Sequence, residues 1–338
     1  MKAYKLVKNG KPTEAFQLEE KPTPEPGAGE VLIQSEGFGL NFADVMARLG
    51  IYKDCPSLPT VIGYENVGHI KALGEGVEGL KVGQRVLAFT RFGGYADHIL
   101  TPAMGVTPIP EDLSIGEATA LATQYMTAYY AVEECLNLHE GDYALVHAAA
   151  GGVGTALIQI LKNKGVTIFG TAGSPDKLNY LKDLGVDYPI NYREKDYLEE
   201  IKKLGFERKI DATFNPIGGD YVKKDYALLN AGGAVVIFGA SKMTEARGNP
   251  FKMIKLLFGF GFWSPIKFVT SSKSLIGLNM LRIADFKPTT FQRCLKGVVS
   301  LVEQGVIKPT VGKEFDHTQL ADAHTYLESR KSIGKVAV

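Results

Sequence analysis

A glycine-rich segment near the middle of the chain carries the clearest chemical signal. It reads H-A-A-A-G-G-V-G from His147 to Gly154, between an apolar run at 143–148 and a helical pattern at 155–164. Glycine has no Cβ atom, so backbone can approach a pyrophosphate, and a following helix directs its N–H groups and positive dipole end at that anion. The spacing is A-x-x-G-x-x-G, and a turn that only packs a helix on a sheet is the alternative. The strand, turn and helix context predicts a dinucleotide site on Ala150, Gly151, Gly152, Val153 and Gly154.

The strand that follows this helix indicates which dinucleotide binds. NAD sites usually carry an acidic residue at the end of the second strand, about 20 residues on, where it bonds the ribose 2′-OH. Here the strand at 166–171 runs into Gly173 and Ser174 without an acid, and Lys177 lies just beyond. Asp176, the nearest acid, is placed to serve the N-terminus of the next helix. Lys177 alone could be a solvated helix lysine, but an uncharged strand end beside a cation favours NADPH.

These residues need an α/β domain to position them, and the surrounding pattern predicts one. From Asp142 onward, short apolar strands alternate with helices of about 8–12 residues, which is typical of a parallel, doubly wound sheet. The predicted strands are 143–148, 166–171, 187–192, 210–215 and 234–240, and the predicted helices are 155–164, 175–184, 197–204 and 220–229.

The two flanking regions have a different pattern. The first third is β-rich, with short apolar runs at 31–34, 66–72 and 85–89 between glycines and prolines. Ser114–Glu117 predicts a helix that begins with a capping box. After residue 275 the pattern is mixed again, with predicted strands at 275–280 and 335–338 and predicted helices at 290–303 and 318–329.

Composition excludes several other classes of protein. The 338 residues suggest two domains, and 38 Lys+Arg against 37 Asp+Glu give a net charge of +1, so no global field favours nucleic acid or an anionic membrane as the main partner. Three isolated cysteines exclude a disulfide framework. The N-terminus has no signal-peptide pattern, and the most apolar stretch has about eight residues where a membrane span needs about 20. We therefore expect a cytoplasmic protein with no integral membrane span.

Several motifs in order resemble the zinc-free quinone oxidoreductases of the medium-chain dehydrogenase/reductase superfamily. They lie at 39–44 (G-L-N-F-A-D), 48–52 (R-L-G-I-Y), 59–65 (P-T-V-I-G-Y-E), 93–96, 126–129, 148–154 and 190–192. The resemblance covers nearly the whole chain. It implies an α/β protein with a GroES-like β-rich catalytic domain at 1–124, a Rossmann NADP-binding domain at 125–270, and a return to the catalytic domain at 271–338. It also implies a homodimer.

The same resemblance assigns further residues to NADPH. It places Gly173, Lys177, Tyr192 and Arg330 at the 2′-phosphate, and Asn41 and Thr127 near the nicotinamide and its ribose. Ser174, at the same strand end, is also predicted to bind the cofactor. It also brings the backbone of Phe238, Gly239 and Ala240 to the carboxamide, and closes Leu278 and Asn279 over the cofactor. Plainer alternatives are a core position for Phe238, a turn or edge position for Asn279, and a strand-end aromatic for Tyr192.

A metal is not expected. Zinc-dependent relatives carry Cys near the position of Asn41, and G-H-E where this chain has Gly63, Tyr64 and Glu65. The six histidines have no metal-ligand spacing. Glu65, without a metal, is expected to be a structural hydrogen-bond partner.

Without a Lewis acid, alcohol oxidation is disfavoured, and reduction of a polarised acceptor is easier. The predicted activity is hydride transfer from NADPH to a small-molecule quinone or α,β-unsaturated carbonyl. Tyr52 resembles the tyrosine near the substrate in related enoyl reductases, and Tyr64 is expected to face the same cleft; the alternative is that both only line an aromatic pocket. Two other functions stay open: an enoyl-thioester reductase, and a non-catalytic NADPH-binding protein that contacts partners or membranes.

An apolar insert near 242–274 is long for a connection in a compact fold. It contains the only tryptophan, Trp263, several phenylalanines and the lysines 252, 255 and 267. It resembles the vesicle amine transport protein-like branch of the family. Three interpretations are open: packing against its own subunit or a dimer mate, a substrate lid, and contact with a membrane surface.

Overall fold

The structure, a computed structural model, describes all 338 residues. The chain forms two units, residues 1–127 with 280–338, and residues 128–279. The first unit contains the β-rich region of the sequence, and the second contains the alternating strands and helices.

The apolar runs of the first unit form antiparallel strands whose inner side chains are buried. The strands are β1 (Lys2–Leu6), β2 (Phe16–Glu20), β3 (Glu30–Leu40), β4 (Thr60–Val61), β5 (Glu65–Leu73), β6 (Arg85–Phe89), β7 (His98–Pro102) and β8 (Val106–Pro108). Two short helices, α1 (Pro12–Ala15) and α2 (Phe42–Arg48), interrupt them. β1 pairs with β2 and β4, while β3 pairs with β5 and β7.

The capping box predicted at 114–117 is confirmed. Ser114 Oγ accepts a hydrogen bond from the Glu117 N–H at 3.2 Å, and the Glu117 carboxylate accepts one from the Ser114 N–H at 2.9 Å. This box begins α3 (Ile115–Ala120), which continues through a π-helical turn at Leu121–Tyr125 into α4 (Met126–Tyr129).

The second unit is a parallel sheet with helical crossovers, as predicted, but it has six strands, because residues 271–279, which the sequence assigned to the catalytic domain, add the last strand to this sheet. Its elements are β9 (Tyr143–Val146), α5 (Gly152–Asn163), β10 (Thr167–Ala172), α6 (Pro175–Asp183), β11 (Tyr188–Asn191), α7 (Tyr197–Lys203), β12 (Ile210–Asn215), α8 (Asp220–Leu228), β13 (Leu229–Ile237), α9 (Lys242–Ala246), α10 (Pro250–Phe260), α11 (Pro265–Ser271) and β14 (Ser274–Gly277). The strand order is β11-β10-β9-β12-β13-β14, so the chain reverses direction along the sheet between β9 and β12. Ligands of such sheets bind beyond the carboxyl ends of the strands at this reversal.

The sequence placed two strands too far along the chain. The strand predicted at 275–280 is β14, which ends at Gly277, and Met280 already begins a helix. The strand predicted at 234–240 is β13, which ends at Ile237. The chain turns after Phe238, because the Ser241 N–H bonds the Pro216 carbonyl at 3.0 Å. The insert is helical, and its three helices are α9, α10 and α11.

The C-terminal segment completes the first unit. It contains α12 (Met280–Phe286), α13 (Pro288–Glu303), β15 (Val311–Glu314), α14 (Leu320–Glu328) and β16 (Lys335–Ala337). β16 pairs antiparallel with β3, and this pairing brings the last residues of the chain beside the N-terminal end of α2. None of the helices is both long enough and apolar enough to cross a bilayer.

Candidate active site

The glycine segment forms a tight turn between β9 and α5. Gly151 is the residue before the helix, and its N–H bonds the Ala148 carbonyl at 2.8 Å. A Cβ atom on Gly154 would lie 2.5 Å from the Ala148 carbonyl oxygen and 2.6 Å from that of Ala149. The helix can therefore sit this close to the turn only with glycine at 154. The free N–H groups of the first turn of α5 provide the donors that a pyrophosphate needs.

A buried polar network fixes the strand ends beneath this turn. His147 bonds Thr171 Oγ1 at 3.1 Å through Nδ1, and Asp225 at 2.9 Å through Nε2. The Tyr197 hydroxyl and the Asn215 amide also donate to the Asp225 carboxylate, at 2.7 and 2.6 Å. All five side chains are buried. The network joins the ends of β9, β10 and β12, so it holds the turn in place.

Two cations meet at the end of β10, where the 2′-phosphate was predicted. A Cβ atom on Gly173 would lie 2.6 Å from the Tyr192 hydroxyl and 3.2 Å from Arg193 Nε, so both side chains cross the strand end. Lys177 is half-buried, and burial, followed by the positive charge of Arg193, lowers the pKa of its ammonium. Ser174 accepts a hydrogen bond from the Lys177 N–H and so caps α6. Mutual repulsion between these cations is relieved by an anion of phosphate size.

The predicted carboxamide segments end neighbouring strands. Phe238, Gly239 and Ala240 follow β13, while Leu278 and Asn279 follow β14, which pairs with it. The Phe238 N–H is bonded to the Asn215 carbonyl, and the Leu278 N–H to the Ile237 carbonyl. Those two amides are therefore engaged within the sheet. A contact of this edge with a nicotinamide stays a prediction.

Asn41 lies in the first unit, and both the nitrogen and the oxygen of its side-chain amide are hydrogen-bonded. Its Nδ2 donates to Glu65 at 2.7 Å, and its Oδ1 accepts from Lys335 Nζ at 3.3 Å. Lys335 also bonds the Leu40 carbonyl and is ion-paired with Glu65. Asp44 accepts from the Asn41 N–H, and burial raises the pKa of its carboxyl to about 8.

Tyr52 and Tyr64 lie together in the same unit, with ring centroids 6.1 Å apart in an edge-on arrangement. Burial, then the charge of Asp54, raises the pKa of Tyr52 to about 12. Burial, then Asp44, raises the pKa of Tyr64 well above its ordinary value. Both hydroxyls therefore keep their protons at neutral pH and can donate hydrogen bonds.

The remaining predicted residues are in less informative positions. The Thr127 hydroxyl donates to the Thr123 carbonyl at 2.6 Å, so it can offer a ligand only its lone pairs. Arg330 follows α14 in the first unit, and its contact with the phosphate stays a prediction.

Sequence reasoning missed Arg193, Asp225 and Lys335. Arg193 was signalled only by its place after Tyr192, and Asp225 only by its position on the apolar face of α8 with Val222 and Tyr226.

A β-rich unit joined to a parallel-sheet unit with a glycine turn before α5 defines a two-domain dinucleotide-dependent oxidoreductase fold. Family models agree: the alcohol dehydrogenase GroES-like domain matches residues 27–111, and the zinc-binding dehydrogenase model matches 152–290. The rat synaptic vesicle membrane protein VAT-1 homolog is 35% identical over 324 residues, which are 95% of this chain and 80% of that protein. The chain therefore belongs to the medium-chain dehydrogenase/reductase superfamily, in its VAT-1-like branch.

Two solved structures are similar over almost their full lengths. The Escherichia coli quinone oxidoreductase complexed with NADPH has a TM-score of 0.85 and 27% identity, covering 100% of this chain and 99% of that one. The CurK enoyl reductase has a TM-score of 0.86 and 28% identity, covering 100% and 98%.

Zinc is implied by the name of one family model, but the residues present do not fit it. Zinc binds thiolate, imidazole and carboxylate ligands, whereas Asn41 and Tyr64 offer an amide and a protonated phenol. The remaining carboxylate, Glu65, is ion-paired with the buried ammonium of Lys335. This fixed positive charge beside Asn41 and Glu65 opposes the binding of a dication.

Proposed function

We propose that this protein is a zinc-independent, NADPH-dependent oxidoreductase that transfers hydride to a quinone or an α,β-unsaturated carbonyl. The proposal rests on the position of two positively charged side chains, Lys177 and Arg193, near Gly173. They lie in the parallel-sheet unit that also contains the glycine turn. Two cations and a tyrosine hydroxyl suit a ribose 2′-phosphate, which NADPH has and NADH lacks.

The protein's own residues bind and orient the cofactor and donate hydrogen bonds to the acceptor. The α5 N-terminus receives the pyrophosphate, and the network around Asp225 keeps the turn rigid. NADPH supplies a hydride from its nicotinamide. Tyr52, which is protonated and only partly buried, would offer a hydrogen bond to the acceptor oxygen, on which negative charge develops as hydride reaches a quinone or the β-carbon of an enone. The Tyr64 hydroxyl is buried, so Tyr64 packs beside Tyr52 and does not reach a substrate.

The test is loss of NADPH absorbance with three acceptors: a quinone, a short alkenal and an enoyl-CoA. We expect turnover with the quinone or the alkenal and a much lower rate with NADH. No turnover with any of the three, alongside normal NADPH binding, would refute the oxidoreductase proposal and favour a non-catalytic cofactor-binding protein.

The similarity to the CurK enoyl reductase supports one alternative, an enoyl-thioester reductase. Such an enzyme would turn over enoyl-CoA with a higher kcat/KM than the alkenal, because it also binds the thioester carrier. The reverse order would favour the quinone and enone proposal. A homodimer and a cytoplasmic location stay predictions, to be checked by sedimentation and by cell fractionation.

A further inference from the structure

Helix α12 carries two charged side chains that pair with loops of the same unit. Arg282 and Asp285 are three positions apart, so both lie on one face of the helix. Arg282 donates to Asp54 Oδ1 at 2.6 Å, and Arg91 donates to both carboxylate oxygens of Asp285, at 2.9 and 3.2 Å. We call these two contacts the α12 ion pairs. They join α12 to parts of the chain that lie 228 and 194 positions earlier in the sequence.

Both loops belong to the surroundings of Tyr52. Asp54 lies two positions after Tyr52 in the same loop. Arg91 immediately precedes Phe92. The Phe92 ring lies 5.3 Å from the Tyr64 ring, which in turn contacts Tyr52 edge-on. The α12 ion pairs therefore hold the loop that carries Tyr52 and the loop that packs against its aromatic neighbour.

The loop that carries Tyr52 needs a fixed point outside itself. Residues 49–59, between α2 and β4, form neither helix nor strand. The Asp54 side chain is only 14% exposed, so its ion pair is better shielded from water than an ordinary surface pair. Exposed ion pairs contribute little, but two parallel N–H···O bonds, as Arg91 makes with Asp285, hold a defined geometry.

The charges also specify one register of α12 on the loops. The helix contributes one cation and one anion, and the loops contribute the opposite charges in reverse order. A shift of the helix by one turn would bring Arg282 towards Arg91, or Asp285 towards Asp54, and like charges repel. The two pairs together therefore hold the loops in one arrangement.

Arg282 and Asp54 also act electrostatically on the Tyr52 hydroxyl. After burial, the charge of Asp54 is the main cause that raises the pKa of Tyr52, and the charge of Arg282 opposes it. Without Arg282, the Asp54 carboxylate would be left unneutralised near the hydroxyl and would make it a poorer donor. We propose that Arg282 is a positioning residue that acts through Asp54 to hold the Tyr52 hydroxyl towards the acceptor, with the pair of Arg91 and Asp285 as the second fixed point. This inference rests on the proposed hydride transfer.

The first test is a kinetic cycle on the full-length protein with NADPH and a short alkenal. Arg282→Gln should lower the alkenal kcat about 10-fold and leave the NADPH Kd unchanged. In the Tyr52→Phe background, the same substitution should lower kcat by less than about 2-fold further, because the hydroxyl that it positions is absent. Arg282→Lys keeps the charge and should restore most of the rate. The matched control is Lys287→Gln, which removes an exposed cation just after α12 and should leave kcat unchanged.

The second test is amide hydrogen exchange, which needs no turnover. Arg282→Gln and Asp54→Asn should each raise exchange about 10-fold in residues 49–59 and 280–286, and Lys287→Gln should raise it in neither segment. Unchanged exchange in both segments would show that the α12 ion pairs do not fix the loop.

The outcomes separate this inference from the proposed function. An unchanged alkenal kcat in Arg282→Gln, or the same loss with and without the Tyr52 hydroxyl, would overturn the positioning role. If the natural protein turns over none of the three acceptors, the proposed function fails and the role of Arg282 towards Tyr52 fails with it. The exchange result still decides in that case whether α12 holds the loop.

Discussion

Replacing Lys177 by glutamine tests the two-cation site at the end of β10. The ammonium is half-buried and shares its surroundings with Arg193, whose charge helps to lower its pKa. That repulsion disappears when a phosphate lies between them, so both cations should bind NADPH more tightly than their separate charges suggest. NADH, which has no 2′-phosphate, gains nothing from either.

The size of the effect follows from the exposure of each group. A hydrogen bond to a charged group contributes about 1.5–3 kcal/mol. Because Lys177 is partly solvated, the lower part of that range applies, about 1.5–2 kcal/mol, or a 10- to 30-fold rise in the NADPH Kd. Arg193 is exposed, so Arg193→Gln should raise the Kd by only about 3- to 10-fold.

The assay is fluorescence titration of each variant with NADPH and with NADH. We expect the NADPH Kd to rise while the NADH Kd stays within error, and the preference for NADPH to shrink accordingly. Lys182→Gln, on the same helix α6, is the control and should change neither. An equal rise in both Kd values would mean that the substitution disturbs the fold, and no rise for NADPH would refute the two-cation site.

Three other predictions concern the buried groups. Tyr52→Phe should lower the enone kcat about 100-fold while NADPH affinity stays normal; an unchanged kcat eliminates a proton-donor role. Asp225→Ala leaves three buried partners unpaired, so denaturant unfolding should show a loss of about 3–5 kcal/mol, and a loss below 1 kcal/mol would contradict the network. Burial raises the pKa of the Asp44 carboxyl in the folded protein to about 8, above its ordinary value of 3.8, so the stability contributed by the protonated group is lost as the pH rises between these values. Asp44→Asn should therefore flatten the dependence of the free energy of unfolding on pH in this range. If the slope of that dependence is unchanged, Asp44 titrates normally.

Local patterns in the sequence predicted most of the second unit. Alternating apolar runs gave its strands and helices, and the capping box gave the start of α3, because each depends on residues within a few positions. The end of β13 was placed wrongly, because the turn after it depends on a bond from Ser241 to Pro216, 25 positions earlier in the sequence.

The site residues that were missed have partners far away in the chain. Asp225 meets His147 across 78 residues, and Lys335 meets Glu65 across 270. No periodicity indicates such pairs, because strand order alone brings them together. Arg193 is different: it lies next to a predicted residue, but an exposed arginine after a strand is usually only solvated.

The ion pair between Lys335 and Glu65 bears on which acceptors the proposed enzyme can use. A metal would supply a mobile Lewis acid that binds substrate oxygen directly. The ammonium of Lys335 is instead committed to Glu65, Leu40 and Asn41, so its charge stabilises the framework and is not offered to a ligand. In the proposed mechanism, the group that meets a substrate oxygen in this unit is the neutral phenol of Tyr52, which donates a hydrogen bond but cannot remove a proton from an alcohol. Such donors suffice only for acceptors that are already polarised, which supports quinones and enones over simple alcohols and ketones.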